Sequence, residues 1–194
     1  MTSPTVYFIL HVQLEPLHLS PPIWRRLLVS GDCTLRKLHH FIQAAMGWHS
    51  GHLHEFNDGL HRYLPPDPDF ADFEFEARDD RKYKLRRLLK EGDRLRYVYD
   101  FGDSWEHVIA VEKVEPCDVS GSWCEVLDGA RACPPEDVGG VPGYLAFLEA
   151  IQAQPLDDEG REALAWVGGS FDAELFDRRA ANAAVQRICN NFWG

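Results

Sequence analysis

Hydrophobic and polar residues alternate along the first part of the chain. Every second residue between positions 6 and 14 is apolar, which is typical of a strand with one buried face. A second apolar run at 23–29 follows a Pro-Pro break and predicts a strand antiparallel to the first. At 57–59, Asn-Asp-Gly stands between two short strand-like runs and predicts a tight hairpin.

One helix is predicted between these strands. Apolar residues from Leu35 to Met46 recur at helical spacing. Thr34 is a suitable N-cap, and Gly47 is a typical helix terminator. The pattern therefore predicts a helix over 34–46.

The most polar hairpin is predicted at roughly 94–101 and 105–114. Aromatic residues at alternate positions, Tyr97, Tyr99 and Phe101, indicate a strand, and Gly102-Asp103 indicates a turn. In the second strand, Trp105, His107, Ile109 and Val111 stand at every second position, so a histidine shares a face with apolar residues. A hairpin does not need this many acidic and imidazole groups, so they mark a candidate functional site.

The remaining pattern completes an α+β prediction. Strand residues are expected from Phe73 and Phe75, and 115–141 is expected to be a long irregular loop. Helices are predicted at 85–89, from Pro142 to Pro155, at 157–166, and at 177–190 with Asp177 as cap. Strands first and helices last predict a single compact domain over 1–194. An antiparallel or mixed sheet from the N-terminal two-thirds would pack against helix 34–46 and the helical C-terminal third.

Charge and composition limit the classes of partner. The 194 residues carry a formal net charge of −11, which disfavours non-specific nucleic-acid binding. The basic stretch at 81–87 is interpreted as the solvated face of a short helix. No apolar run is long enough for a membrane span, and no export signal is visible, so a cytoplasmic protein with reduced thiols is expected. The sequence favours a protein or small ligand as partner and leaves the oligomeric state open.

Four motifs in order resemble one known family. They are Pro21-Pro22-Ile23-Trp24-Arg25-Arg26-Leu27, Ile42 to Trp48 continuing to His52-Leu53-His54-Glu55-Phe56, Tyr99 to His107, and Ala132 to Gly140. On these residues the chain resembles the plasmid pRiA4b ORF-3-like family of bacteria and archaea, over about residues 5–190. The resemblance implies a compact α+β domain and, for some members, an association with mobile elements. It implies no particular biochemical activity.

The sequence departs from the family pattern at two positions. Members commonly carry glycine where Ser104 stands, and many resemble a Cys…Cys-Pro-Pro-Glu-Asp-Cys pattern whose last cysteine is Val138 here. A thiolate zinc site in that loop would therefore lack a ligand. Without paired Cys-x-x-Cys knuckles, Cys117, Cys124 and Cys133 are interpreted as buried or free thiols.

The strongest candidate chemistry is a divalent metal site. His52 and His54 would lie on one face if both were in a strand, and Asp100, Asp103 and His107 are the nearest predicted donors. Imidazole with carboxylate suits several divalent transition metals. The alternative is structural: the histidines are buried and satisfied by carbonyls, and the aspartates cap the turn.

Other residues complete a candidate pocket. Glu136 and Asp137 lie on a stiff turn between prolines and glycines, and Trp105 lies in the central motif. Of the neighbouring Arg25 and Arg26, only one can face inward, where a salt bridge to an acid such as Asp100 or Asp137 is expected. An anion-binding role stays open for the other arginine.

Three functions remain open at this point. The preferred interpretation is a binding or adaptor module with a polar His/Asp pocket. One alternative is a metal-dependent hydrolase that uses His52, His54, Asp100, Asp103 and His107. The other is a mobile-element accessory protein that contacts nucleic acid.

Overall fold

One mixed sheet organises the protein. The computed structural model describes residues 5–15, 19–66 and 77–190. Within them, eight strands are hydrogen-bonded in the order β5-β4-β3-β6-β7-β1-β2-β8. All neighbours are antiparallel except β4 and β5, which are parallel. The strands are β1 Val6–Glu15, β2 Trp24–Ser30, β3 His54–Asn57, β4 Arg62–Leu64, β5 Ala77–Asp79, β6 Arg94–Tyr99, β7 Trp105–Pro116 and β8 Cys124–Ala130.

Five α-helices accompany this sheet in the described residues. They are α1 Leu35–Met46, α2 Leu85–Leu88, α3 Gly140–Gln152, α4 Asp158–Trp166 and α5 Arg178–Asn190. A 3-10 turn at Asp80–Lys82 follows β5. The strands come mainly from the N-terminal two-thirds and the last three helices from the C-terminal third, so the predicted α+β class is confirmed.

The alternating pattern of β1 explains its place inside the sheet. Phe8, Leu10, Val12 and Leu14 are buried on one face, while β1 pairs with β2 on one side and with β7 on the other. Burying each such side chain contributes roughly 1.5–3 kcal/mol. The predicted antiparallel pairing of the first two strands is confirmed.

Helix α1 begins and ends where the sequence predicts. Thr34 Oγ1 accepts a hydrogen bond of 3.2 Å from Lys37 N, and Gly47 ends the helix in the left-handed conformation at φ 92°. Leu38, Phe41 and Ile42 on its inner face belong to the core cluster. The end of α1 leads directly into Trp48, which contacts the β6–β7 hairpin.

Two element predictions need correction. The segment 115–141 is not one irregular loop, because Cys124–Ala130 forms β8 and pairs with β2 at the edge of the sheet. Helix α3 begins at Gly140, and Pro142 is its third residue rather than its first. The strand expected from Phe73 and Phe75 lies outside the described residues.

The predicted absence of a membrane span agrees with the helices. None of those in the described residues combines the length and the apolar character needed to cross a bilayer.

Candidate functional site

The β6–β7 turn holds one carboxylate in a fixed position. Asp100 adopts a left-handed backbone conformation at φ 55°, and its Oδ1 accepts a hydrogen bond of 2.9 Å from Gly102 N. Its own N–H donates to the carbonyl of Leu53 at 2.9 Å, which ties the turn to the segment before β3. The second oxygen, Oδ2, is therefore directed toward His52.

A second carboxylate, that of Asp137, comes from the segment before α3, and a contact between Asp103 and Gly139 positions this segment. Asp103 Oδ2 accepts from Gly139 N at 3.2 Å, so the two turns are bonded together. At Gly140, φ is 67° and a Cβ atom would lie 2.6 Å from the carbonyl oxygen of Asp103, so glycine permits this close approach. The contact places Asp137, itself at φ 58°, beside Asp100.

His52, Asp100 and Asp137 form one cluster. His52 Nε2 lies 3.1 Å from Asp137 Oδ1 and 3.7 Å from Asp100 Oδ2. One ligand atom from each residue lies within 4.8 Å of the others, and no other group of three His, Cys, Asp or Glu side chains in the described residues meets this condition. The side chain of Asp137 is 70% exposed and that of Asp100 is 12% exposed, so the cluster opens to solvent on one side.

The two distances from His52 are compatible with a small divalent cation. Ligands at about 2.0–2.1 Å around a tetrahedral ion are separated by roughly 3.3 Å, which lies between the 3.1 Å and 3.7 Å that separate His52 Nε2 from the two carboxylate oxygens. Three protein ligands would leave the exposed side of the ion for water or a ligand oxygen.

Glu136 connects the segment before His52 to strand β6. Its Oε1 accepts hydrogen bonds from His49 N at 2.9 Å and from Tyr99 Oη at 2.7 Å. Partial burial opposes the charge, but these hydrogen bonds hold the pKa of Glu136 below its ordinary value. Tyr99 Oη in turn accepts from Gly51 N at 3.1 Å. Glu136 is therefore an ionised anchor between the 49–51 segment and the β6–β7 hairpin.

His54 belongs to a separate, buried network. Its Nε2 donates to Asp80 Oδ2 at 2.9 Å, and Arg36 Nε donates to the same oxygen at 2.9 Å. The His54 ring stacks on His39 with centroids 3.6 Å apart. His52 precedes β3 rather than lying within it, so the expected strand alternation does not bring the two histidines together.

Burial sets the charge in this network. It lowers the pKa of His54 in spite of the opposing effect of Asp80, and the two hydrogen bonds outweigh burial to lower the pKa of Asp80. At neutral pH, Asp80 is therefore a buried carboxylate between a neutral imidazole and a guanidinium. Asp80 is not among the candidate residues that the sequence analysis singles out.

His107 and Trp105 lie inside the core. His107 packs on Tyr97 and Trp48 with centroid distances of 5.2 and 5.5 Å, and neither ring nitrogen makes a hydrogen bond of normal geometry. Burial lowers the pKa of His107 to about 4. Trp48 and Trp105 are 6% and 1% exposed. The structure thus places His107 in the interior, outside the cluster of His52.

The two arginines correct another prediction. Buried Arg25 donates to the carbonyl oxygens of Ala45 at 2.9 Å and Arg131 at 3.0 Å, and it makes no salt bridge to Asp100 or Asp137. Arg26 forms a 2.8 Å ion pair with Glu112 on the outer face of the sheet. Carbonyl oxygens in α1 and at the end of β8 satisfy Arg25, so the inward arginine is structural.

The cysteines are free thiols. None of the five is in a disulfide, and Cys33, Cys124 and Cys133 are buried. Burial raises the pKa of Cys33 to about 12 and also raises the pKa of Cys124 and of Cys133. These three thiols are therefore protonated at neutral pH and are poor metal ligands.

Comparison with known proteins agrees with this fold. A family model described as plasmid pRiA4b ORF-3-like protein matches residues 7–180. The chain belongs to the plasmid pRiA4b ORF-3-like family. The resemblance read from the four motifs is confirmed.

Two relatives of this family member have no stated function. An uncharacterised protein, y4hQ, of Sinorhizobium fredii (strain NBRC 101917 / NGR234) is 39% identical over 173 residues, which cover 88% of this chain and 87% of the relative. A crystal structure of a protein of unknown function, MM3350, from Methanosarcina mazei Go1 matches with a TM-score of 0.77 and 30% identity. That match covers 93% of this chain and 98% of the other. Function must therefore be argued from the site itself.

The backbone conformation at Ser104 is one that favours the glycine common at this position in the family. Ser104 has φ 54°, a left-handed conformation that costs a non-glycine residue about 1–2 kcal/mol. We expect Ser104→Gly to raise the free energy of unfolding by up to about 1 kcal/mol, since part of the relief is offset by the greater freedom of glycine in the unfolded chain. Urea unfolding of both proteins measures the difference. A clear loss of stability in Ser104→Gly would contradict the assignment of strain to this position.

Proposed function

We propose that this protein is a binding module that holds a divalent cation through His52, Asp100 and Asp137. Oxygen atoms of the bound partner molecule would complete the coordination of the cation from the solvent side. The observation that carries the proposal is the convergence of one imidazole and two carboxylates within 4.8 Å of one another. Imidazole with carboxylate oxygens suits Zn²⁺, Mn²⁺ and Fe²⁺.

The backbone supports a binding role for these residues. Asp100 and Asp137 both adopt left-handed conformations that are unfavourable for residues other than glycine. Their carboxylates also lie close enough to repel one another. A cation would offset that repulsion. The hydrogen bonds of Asp103 to Gly139 and of Glu136 to His49 hold the two segments together without using the ligand oxygens.

Metal titration tests the proposal. We expect chelator-treated protein to bind one Zn²⁺ or Mn²⁺ per chain in calorimetry, and its melting temperature to rise on saturation. At a free metal concentration of 100 times Kd, the added stability would be about 2.7 kcal/mol. Asp137→Asn, a change at an exposed side chain, should weaken binding by at least tenfold without loss of the fold.

The matched control is Asp118→Asn, which removes the same charge from an exposed residue outside the cluster. It should bind metal as the unchanged protein does. The absence of binding heat in the unchanged protein, or equal weakening in both variants, would overturn the proposal.

A second function, metal-dependent hydrolysis, is favoured by one feature. Three protein ligands with an open position is the arrangement that catalytic zinc sites use to activate water. The proposed ligand set differs from the one expected from sequence, because Asp137 replaces His54, Asp103 and His107. Metal-loaded protein assayed with chromogenic phosphate esters, carboxylic esters and peptides would reveal turnover, which Asp137→Asn should abolish. Metal binding without turnover on any of them would favour the module.

A further inference from the structure

A hollow lined by cations shares no residue with the cluster of His52, Asp100 and Asp137. It has a volume of about 690 Å³ between the β3–β4 turn and the segment that joins α2 to β6. Its lining contains four basic and two acidic residues. The basic residues are Arg86, Arg87, Lys90 and Arg94, and the acidic ones are Asp58 and Asp93. Its size is within the range of small-ligand sites.

The two acids of this hollow are already engaged. The carboxylate of Asp58 accepts hydrogen bonds from His61 N at 2.7 Å and from Tyr63 Oη at 2.7 Å. These bonds outweigh partial burial and lower the pKa of Asp58 to about 2. Asp93 Oδ2 accepts from the backbone N–H of Lys90 at 2.9 Å. Both carboxylates therefore stabilise turns.

Three of the four basic side chains form no ion pair with a carboxylate of the described residues. Arg86 pairs with Asp32 at 3.1 Å, but Arg87, Lys90 and Arg94 make no ion pair with the described carboxylates. All three are exposed. In a chain of net charge −11, three neighbouring cations without acidic partners form an unusual local concentration of positive charge.

The chemistry of these side chains points to phosphate. A guanidinium presents a planar fork of N–H donors that matches phosphate oxygens, and an ammonium adds a point charge. The acidic remainder of the molecule would repel a long nucleic acid, whereas a small anion meets only the hollow. Leu60, 86% exposed on the β3–β4 turn, adds an apolar surface at the rim.

We infer that this hollow binds a small anion with two or more phosphate groups, such as a nucleoside diphosphate or triphosphate. Arg87 and Arg94 donate to the phosphate oxygens, Lys90 contributes charge, and Leu60 contacts the organic part. The inference does not depend on the cation site proposed at His52, Asp100 and Asp137.

Calorimetry in chelator-containing, low-salt buffer tests this inference without a contribution from divalent metals. The probes are pyrophosphate, ATP and inorganic phosphate. We expect pyrophosphate and ATP to bind at least tenfold more tightly than inorganic phosphate, and affinity to fall as salt is added. The double variant Arg87→Gln/Arg94→Gln should lose at least tenfold of the pyrophosphate affinity.

A matched double variant separates the hollow from net charge. Arg178→Gln/Arg179→Gln removes the same two charges from exposed positions at the start of α5 and should leave pyrophosphate affinity within about twofold. Equal losses in both double variants, or no binding of either polyphosphate, would overturn the inference. Binding of a single-stranded oligonucleotide through Arg87 and Arg94, without binding of pyrophosphate, would overturn it in favour of a nucleic-acid surface.

Discussion

Replacement of Asp80 by alanine is expected to lower the free energy of unfolding by about 3–5 kcal/mol at neutral pH. Asp80 is fully buried, and its Oδ2 accepts hydrogen bonds from both Arg36 and His54. Its removal leaves a guanidinium charge and a buried imidazole N–H without their partner. Because Asp80 Oδ1 is itself buried without a partner, part of the loss is offset, and the lower half of the range is expected. Urea unfolding followed by circular dichroism gives the value.

An exposed ion pair provides the comparison. Glu112→Gln breaks the pair with Arg26 on the outer face of the sheet, where both side chains are about one-third exposed. Such a pair is worth at most about 1 kcal/mol. If Asp80→Ala and Glu112→Gln destabilise the protein equally, the buried network of Asp80 is not a principal contributor to stability.

Local signals explain why most of the fold was predictable. Apolar alternation identified β1, and Thr34 with Gly47 fixed both ends of α1. Strand β8 was missed because only Cys124 and Val126 of its residues are buried, and glycines and prolines surround it. It is an edge strand whose place depends on pairing with β2, which is a long-range contact with little local signature.

The site was less predictable because its contacts are distant in sequence. The approach of Asp100 to His52 was expected from two adjoining hairpins, and the structure shows it at 3.7 Å. From sequence, Asp137 is a general pocket residue and a possible arginine partner but not a metal ligand, because the contact of Gly139 and Gly140 with Asp103 that brings it near appears in no local pattern. The partner of His54 was missed for the same reason: Asp80 follows a short parallel strand, and parallel pairing has no hairpin signal.

Mild acid is expected to destabilise the protein through its buried histidines. The pKa of His107 is lowered by burial to about 4, that of His40 to about 4, and those of His39 and His54 are also lowered by burial. In the unfolded chain, histidine titrates near 6.5. Below that pH the unfolded state binds more protons, so stability is full above about 6.5 and is lost as pH falls toward 4. The lowered pKa of Asp80 adds its own loss only below about pH 4.

His107→Leu isolates one part of this acid sensitivity. The change removes two buried ring nitrogens that make no hydrogen bond of normal geometry, and it keeps an apolar side chain against Tyr97 and Trp48. A shift from 6.5 to about 4 corresponds to about 2 kcal/mol at pH 5, so the variant should be more stable than the unchanged protein by at least that much there. The advantage should be smaller at pH 7.5, where His107 is neutral in both states.

Unfolding in urea at pH 5 and pH 7.5 measures this difference. If His107→Leu loses as much stability between pH 7.5 and pH 5 as the unchanged protein does, His107 is not a buried neutral imidazole. In that case the acid sensitivity must come from His39, His40 and His54, which lie on and beside α1 rather than on β7.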